Sequence, residues 1–380
     1  MKPSVKFAAL LIVTLCAAVT FPQFASAQTT PNAYVYVINR LFSGPNTVEL
    51  DGFSADSTGA LTALPGSPFW TSTKSSLYWT LAHSAKWLFL ADDLKIYSFS
   101  IASNGTLTLK SSINAQQFSP SGSDFIAALF LDRTGSTLYA TEYTQLPQQG
   151  PNAILAFKKN GTTGALTYLG STDYPDFQYS PGYLPAFLGN NEYAYNAYCD
   201  GTGVAWFAGH RNSDGTLDSF PINPPIPSNP NGTYCPYGDD AADPANNLAV
   251  ALDLGQNGPV QLAVYTADSS GNLTTNSTAA NMPTTTVFPF RMAVSPAGNL
   301  LAVCGGGGLQ VFHFNGSNPI TPYTKRLAEA CNGLAWDKHN HLYIIQGGLK
   351  GVRVWRITPN FWKAASPYPL NGAALTVLSK

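Results

Sequence analysis

The side chains able to do chemistry in this 380-residue chain are mostly carboxylates and aromatic rings. Glu142, Asp92, Asp93, Asp200, Asp239, Asp240 and Asp253 fall at the ends of strand-like runs or in the connections between them. With Arg291 they could position a polar ligand or activate a water, because a carboxylate accepts a proton and a guanidinium stabilises developing negative charge. The plainer reading is that these acids are solvated loop charges. The consecutive Asp239 and Asp240 could also offer oxygen ligands to calcium. Around the same connections gather Tyr78, Trp79, Tyr174, Phe177, Tyr179, Tyr183, Tyr198, Tyr234 and Tyr237, whose flat rings with polar edges suit sugar or peptide faces.

Histidine chemistry is a weaker prospect. His83, His339 and His341 are expected in turns, with His313 in a strand and His210 just after one, so all five read as turn or strand surface. His339-X-His341 has the spacing of a metal pair, but no third ligand is evident, and no metal or other cofactor is expected. Asp132, Asp243 and Asp337 recur at one turn position and read as turn-forming residues that bond their own downstream backbone. No nucleophile elbow, phosphate loop or dinucleotide fingerprint occurs. The four glycines Gly305 to Gly308 join two strands without a following helix, so they present no helix N-terminus to a phosphate. Asn104-Gly105-Thr106 and Asn160-Gly161-Thr162 match glycosylation acceptors but read better as hairpin turns, and Asn231-Gly232-Thr233 is a third match.

These residues need a scaffold, and a repeat supplies one. Gly-X-Leu-Thr recurs with its glycine at Gly59, Gly105, Gly164 and Gly271, and Gly215-Thr216-Leu217-Asp218 is a fifth copy with one change. The glycines step by 46, 59, 51 and 56 residues, a period of about 50, the size of a four-stranded propeller blade. A strand such as Ile96 to Phe99 or Ile154 to Phe157 precedes each signature, and the glycine provides the positive φ of a tight hairpin. One strand earlier, seven aromatic or apolar runs begin near Tyr34, Trp87, Leu138, Tyr193, Leu248, Leu300 and Leu342. Six follow a small-residue strand suited to the crowded axis. The first lacks that partner, and Ala374 to Leu378 at the C-terminus is the candidate to complete it and close the ring, which removes exposed sheet edges. The expected fold is therefore all-β: one seven-bladed propeller with four antiparallel strands per blade, spanning residues 28–380.

Residues 1–27 read as a signal peptide. Lys2 and Lys6 precede the apolar run from Phe7 to Val19, and Ala25-Ser26-Ala27 is a small-residue cleavage site before Gln28. The apolar run is too short to span a bilayer, so secretion or a periplasmic location is expected, with no membrane insertion. Without Lys2 and Lys6 the chain carries 18 basic and 21 acidic side chains, a net of −3. Charged residues are 11% of the whole chain against roughly 25% in an average protein, which leaves no electrostatic drive toward nucleic acid. A monomer is expected.

Four of the five cysteines lie beyond the signal segment, an even number suited to an oxidising compartment. Cys199 and Cys304 end second strands, while Cys235 and Cys331 just precede the innermost strand of the next blade. These positions meet on one face of the disc, which predicts disulfides Cys199–Cys235 and Cys304–Cys331 between neighbouring blades. A four-cysteine metal site is the alternative, but no Cys-X-X-Cys pair occurs.

The pattern resembles the lactonase-family seven-bladed propellers of the 6-phosphogluconolactonase type and the related Tyr-Val-Thr-Asn repeats. Tyr34 to Asn39 is similar to that repeat strand, Thr47 to Phe69 to a first blade of the family, and Val250 to Gly255 to its Asp-Leu-Gly strand end. The resemblance implies a shallow cleft on the face where innermost strands begin and second strands end. There Phe290-Arg291-Met292 keeps the arginine of the family's Pro-Arg-His and lacks its histidine, and Cys235-Pro236-Tyr237-Gly238 stands at another family histidine site. The leading expectation is a small polar or carbohydrate ligand, or a protein partner, on this face, using Tyr78, Trp79, Asp92, Tyr183, Tyr198, Tyr237, Asp239 and Asp240. The alternatives are a sugar-lactone hydrolase with Glu142 or Asp253 as base and Arg291 stabilising the oxyanion, and a pure protein-interaction scaffold.

Overall fold

The computed structural model describes residues 30–41, 47–73, 79–120, 125–143, 152–174, 184–199, 204–348, 351–363 and 368–380. From Pro31 to Lys380 they form one compact unit of seven antiparallel sheets in a ring. Blade 1 runs outward from the innermost strand Gly372–Ser379 through Ala33–Leu41 and Thr47–Ala55 to Leu61–Ala63, and Trp70–Ser72 also pairs with the third of these. The chain's last strand thus lies beside its first, Val35 opposite Val377 and Ile38 opposite Ala374, and closes the ring as the sequence predicts.

Each later blade is built in chain order from the axis outward. Blade 2 is Trp79–Ser84, Trp87–Asp92, Lys95–Ile101 and Leu107–Asn114. Blade 3 is Phe125–Leu131, Thr137–Tyr143, Asn152–Lys159 and Leu166–Tyr174. Blade 4 is Ala186–Phe187, Tyr193–Cys199, Val204–Arg211 and Leu217–Ser219. Blade 5 has an innermost strand in two pieces, Cys235–Pro236 and Ala241–Ala242, followed by Asn247–Asp253, Gln261–Ala267 and Leu273–Thr274. Blade 6 is Pro289–Val294, Leu300–Gly305, Gly308–His313 and Thr321–Pro322. Blade 7 is Cys331–Trp336, His341–Gln346, Val352–Arg356 and Trp362–Lys363. The described helices are two single 3-10 turns, and none is long and apolar enough to cross a membrane.

The repeat works as a stitch between blades. Gly105 has φ +85° and turns the hairpin between the two outer strands of blade 2, and a Cβ there would overlap the ring of Tyr34 in blade 1. The fully buried Tyr36 donates its hydroxyl to the Gly105 carbonyl at 2.8 Å. Tyr139 does the same to Gly215 at 2.7 Å and Tyr195 to Gly271 at 2.6 Å. Burial pushes the Tyr139 phenol up to about 12 and those of Tyr36 and Tyr195 further still, so all three remain hydroxyl donors. Buried apolar side chains from adjoining blades fill the space between sheets, as where Phe89 and Ile96 of blade 2 pack with Ile126 and Leu138 of blade 3.

Both predicted disulfides are present, with Cα–Cα distances of 5.0 Å for Cys199–Cys235 and 5.5 Å for Cys304–Cys331. They join blade 4 to blade 5 and blade 6 to blade 7 at equivalent positions.

Candidate functional site

Innermost strands do not run straight to the cleft face. In blade 6, Pro289 pairs with Gly305 and Arg291 with Cys304, so Phe290 is an extra residue without a partner across the ladder. The same shift leaves Ala127 over in blade 3, Asn332 in blade 7 and Ala373 in blade 1. A bulge bends its strand and re-aims the adjoining side chains. Here Ala127, Asn332 and Ala373 line a cavity of about 130 Å³ at that end of the central channel, together with Trp79, Leu184 and Arg291.

Blade 5 makes the largest departure. Pro236 opposes Leu252 and Ala241 opposes Ala249, so four residues, 237–240, occupy a stretch where the partner strand has two. Gly238 allows this. Its φ is +88°, and a Cβ would overlap the Pro289 carbonyl oxygen of blade 6. The looped segment places Tyr237, Asp239 and Asp240 between three blades.

Asp239 is the pivot. Its Oδ1 accepts from Arg291 Nη1 at 2.8 Å and from the Leu184 backbone N–H at 3.0 Å, so one carboxylate ties blades 4, 5 and 6. The Asp239 side chain is 3% exposed, whereas the Arg291 side chain is 36% exposed and faces the cavity. Asp240 turns to blade 4, where Oδ2 accepts from the Ala197 N–H at 2.6 Å and from Asn196 Nδ2 at 3.5 Å. Asn196 Oδ1 in turn accepts from the Tyr174 hydroxyl at 2.8 Å. Burial pushes the Asp239 carboxyl above its ordinary range, and Arg291 only partly opposes this. Asp240 is raised well above that range by burial, with Asp239 adding to the effect.

These placements correct the picture of Asp239 and Asp240 as solvated loop charges: both are buried. Asp239 Oδ1 and Asp240 Oδ2 accept from different sets of N–H donors. Among the described residues, no group of three or more histidine, cysteine, aspartate or glutamate side chains is arranged to hold a metal ion.

The other candidates divide by burial. Trp79 is buried beneath Arg40, whose guanidinium lies 4.8 Å from the ring centre, so its ring is a wall of the cavity. Asp92, opposite Trp79, is buried and accepts from Ser72 Oγ at 3.4 Å. Glu142 is 1% exposed at the end of the second strand of blade 3, opposite Ile126. Asp253 opposes Cys235, and its Oδ1 accepts from the Gly255 N–H at 2.8 Å, the bond of a turn-forming aspartate. Tyr198 is half-buried on blade 4, opposite Ala205. Tyr237 is half-buried, with ring centres 5.8 Å from Phe288 and 6.3 Å from Phe290. Tyr78, Tyr183 and Asp200 lie outside the described residues. The structure therefore brings Arg291 and Trp79 to one cavity, with Asp239 buried and paired to Arg291. It places Asp240 and Asp253 in bonds that serve the fold.

Asp132, Asp243 and Asp337 each accept two downstream backbone N–H groups, as the sequence predicts for turn-forming residues. His341 departs from its predicted surface turn. It is buried with Nδ1 2.8 Å from Asp337 Oδ2, because its strand begins at that residue and turns the ring inward. Asn332, Arg40 and Phe290 were not among the sequence-derived candidates. The bulges that expose Asn332 and Phe290 leave no mark in residue type.

Two larger clefts, of about 340 and 520 Å³, lie along the outer strands of blades 3 and 4 and of blade 6. Of the candidates above, Tyr174 lines the first and His313 the second, and Arg291 lines neither, so the Arg291–Asp239 pair, not cavity size, locates the site.

No protein-family model matches the chain, and no curated protein matches its sequence. Solved structures do match. The periplasmic gluconolactonase of Pseudomonas aeruginosa superposes with a TM-score of 0.63 at 13% identity, covering 91% of this chain and 99% of that one. A functionally unknown protein from Desulfotomaculum acetoxidans gives 0.62 at 13%, covering 92% and 99%. A Lactobacillus plantarum protein gives 0.62 at 12%, covering 92% and 99%. Likeness at this identity establishes architecture, and the chain shares the seven-bladed propeller fold of the Pseudomonas gluconolactonase along almost its whole described length.

Proposed function

We propose that this propeller binds a small, hydroxyl-rich ligand of the sugar-acid or sugar-lactone class at the cleft-face end of its channel, with Arg291 as the polar anchor. The carrying observation is the Arg291–Asp239 pair. A buried carboxylate fixes the guanidinium of a residue that lines the cavity, an arrangement that favours a carbonyl, carboxylate or hydroxyl oxygen. The cavity's 130 Å³ lies below the roughly 300–1,000 Å³ of a typical whole-ligand pocket, so it accepts a head group, with the rest of the ligand outside.

Calorimetric titration with gluconate and glucono-δ-lactone tests this. Arg291→Gln is expected to weaken binding by about tenfold or more, the usual value of a charged hydrogen bond. Silence across a broad sugar-acid and lactone panel, or affinity indifferent to Arg291→Gln, sinks the reading. Hydrolysis is the second reading. It is favoured by the Arg291 guanidinium at the cavity wall, which can stabilise the oxyanion that forms when water attacks a lactone carbonyl. Lactone turnover abolished in Arg291→Gln would promote it over simple binding.

We also propose export, supported by two inter-blade disulfides and by the charged, apolar and small-residue order of residues 1–27. Expressed whole in a bacterial host with a periplasm, the protein should be recovered there beginning at Gln28. A cytoplasmic product retaining Met1 would overturn this.

A further inference from the structure

Five large apolar residues are exposed among the described ones, and three of them sit within four consecutive positions. Val287 is 46% exposed, Phe288 53% and Phe290 37%, while Leu109 and Ile226 stand alone elsewhere. Isolated exposed apolar side chains are ordinary, but a contiguous group marks a binding surface. This group ends at Arg291, the next residue along the chain. Tyr237 joins it through ring contacts to Phe288 and Phe290, and Tyr237 stands two residues before Asp239. The apolar ridge and the polar anchor are therefore carried by the same two segments, 237–239 and 288–291.

The ridge is built at a cost. Phe288 has φ +49°, a region that bulky side chains rarely occupy. The strain is held by the glycine run 305–308. The Gly306 N–H donates to the Phe288 carbonyl and the Gly307 N–H to the Val287 carbonyl, each at 3.1 Å. A Cβ on Gly305 would overlap the Phe288 carbonyl oxygen, and one on Gly307 would lie 2.7 Å from Val287 Cγ2. These glycines read in the sequence as a mere strand connection; they are the floor on which the ridge rests. A strained backbone that leaves about half of an aromatic ring in water becomes more favourable when a ligand covers the ring.

We propose that the ligand anchored at Arg291 carries an apolar substituent, an alkyl or aryl group, that lies on the Val287–Phe290 ridge. The claim rests on Arg291 as the polar anchor. It follows from continuity, because the cavity takes only a head group and the exposed apolar residues of the ridge run directly into Arg291. The occupant is thus an amphiphile with an oxygen-rich head and a short hydrophobic tail.

The test is titration calorimetry with butanoate, hexanoate and octanoate, using gluconate as the polar reference. Octanoate is expected to bind about tenfold tighter than butanoate or better, allowing for a tail covered on one side only. Phe288→Ala and Phe290→Ala, each made separately at an exposed position and checked for an unchanged thermal transition, should remove that gain and leave gluconate affinity intact. Arg291→Gln should weaken every probe. Gluconate binding with no chain-length dependence, or a chain-length gain that survives both phenylalanine variants, overturns this inference and leaves the sugar-acid reading standing. Silence with all four probes overturns both. A dimer that sedimentation detects in the wild type and that Phe288→Ala dissociates would make the ridge a self-interface and overturn the proposal as well.

Discussion

At the scale of single residues, burial decides what each titratable group does, and His83 shows this in measurable form. It lies in the innermost strand of blade 2, half-buried, with Nδ1 2.6 Å from the Thr376 hydroxyl of the closing strand. Desolvation pulls its imidazole down to about 4 from an ordinary 6.5. The folded state thus holds His83 neutral, while the unfolded chain takes up a proton below about pH 6.5. Stability contributed by the neutral ring is present above that value and is lost as pH falls toward 4, by at most about 3 kcal/mol at 1.36 kcal/mol per pH unit. His83→Gln keeps a partner for Thr376 and cannot titrate. Denaturant unfolding at pH 7 and pH 4.5 should show the variant gaining about 2 kcal/mol on the wild type at the lower pH. Asp239 and Asp240 titrate in both proteins and cancel in the difference. Parallel stability curves would mean that His83 is solvated.

Elements explain which parts of the molecule could be read from the sequence. Gly-X-Leu-Thr revealed the blades because its glycines at 105, 164 and 271 have two jobs, a left-handed turn and contact with the previous blade's second strand, as at Gly105 against Tyr34 and Gly164 against Trp87. Few residue types satisfy both, so the spacing survives as a repeat. The disulfides followed from the same register, since strand order alone brings Cys199 to Cys235 and Cys304 to Cys331. The site was harder to read because it lies where the repeat breaks. A single extra residue such as Asn332 or Phe290 in an innermost strand has no compositional signature, yet it decides which side chains reach the channel. The same holds at Asp239 and Asp240: two acids beside a glycine look like an exposed turn, and only the two additional residues opposite Val250 and Ala251 fold them inward. His341 was misplaced for a related reason. Its turn was recognised, but the ring's inward direction depends on the residue at which the strand begins.

For the whole molecule, the decisive feature is that the ring closes through its two ends. Gly372–Ser379 supplies the innermost strand to a blade whose other strands come from residues 33–72, and Lys380 Nζ rests 4.7 Å from the centre of the Tyr34 ring. Val35, Val37 and Ile38 are fully buried beneath this pairing, and His83 of blade 2 bonds Thr376. Ending the chain at Asn371 would remove the ladder partner of Ala33 to Asn39 and open the ring at the junction of blades 7 and 1. An unpaired innermost edge also invites pairing with another chain. The truncated protein is therefore expected to unfold about 10 °C or more below the full chain and to self-associate in sedimentation experiments. A synthetic peptide of residues 372–380 added in trans should recover part of the loss, because main-chain pairing at an open edge accepts a separate strand. The disulfides do not span this junction, so they cannot compensate: one joins blades 4 and 5, the other blades 6 and 7. A truncated chain that stays monomeric with an unshifted transition would show that the remaining inter-blade packing holds the ring without its closure.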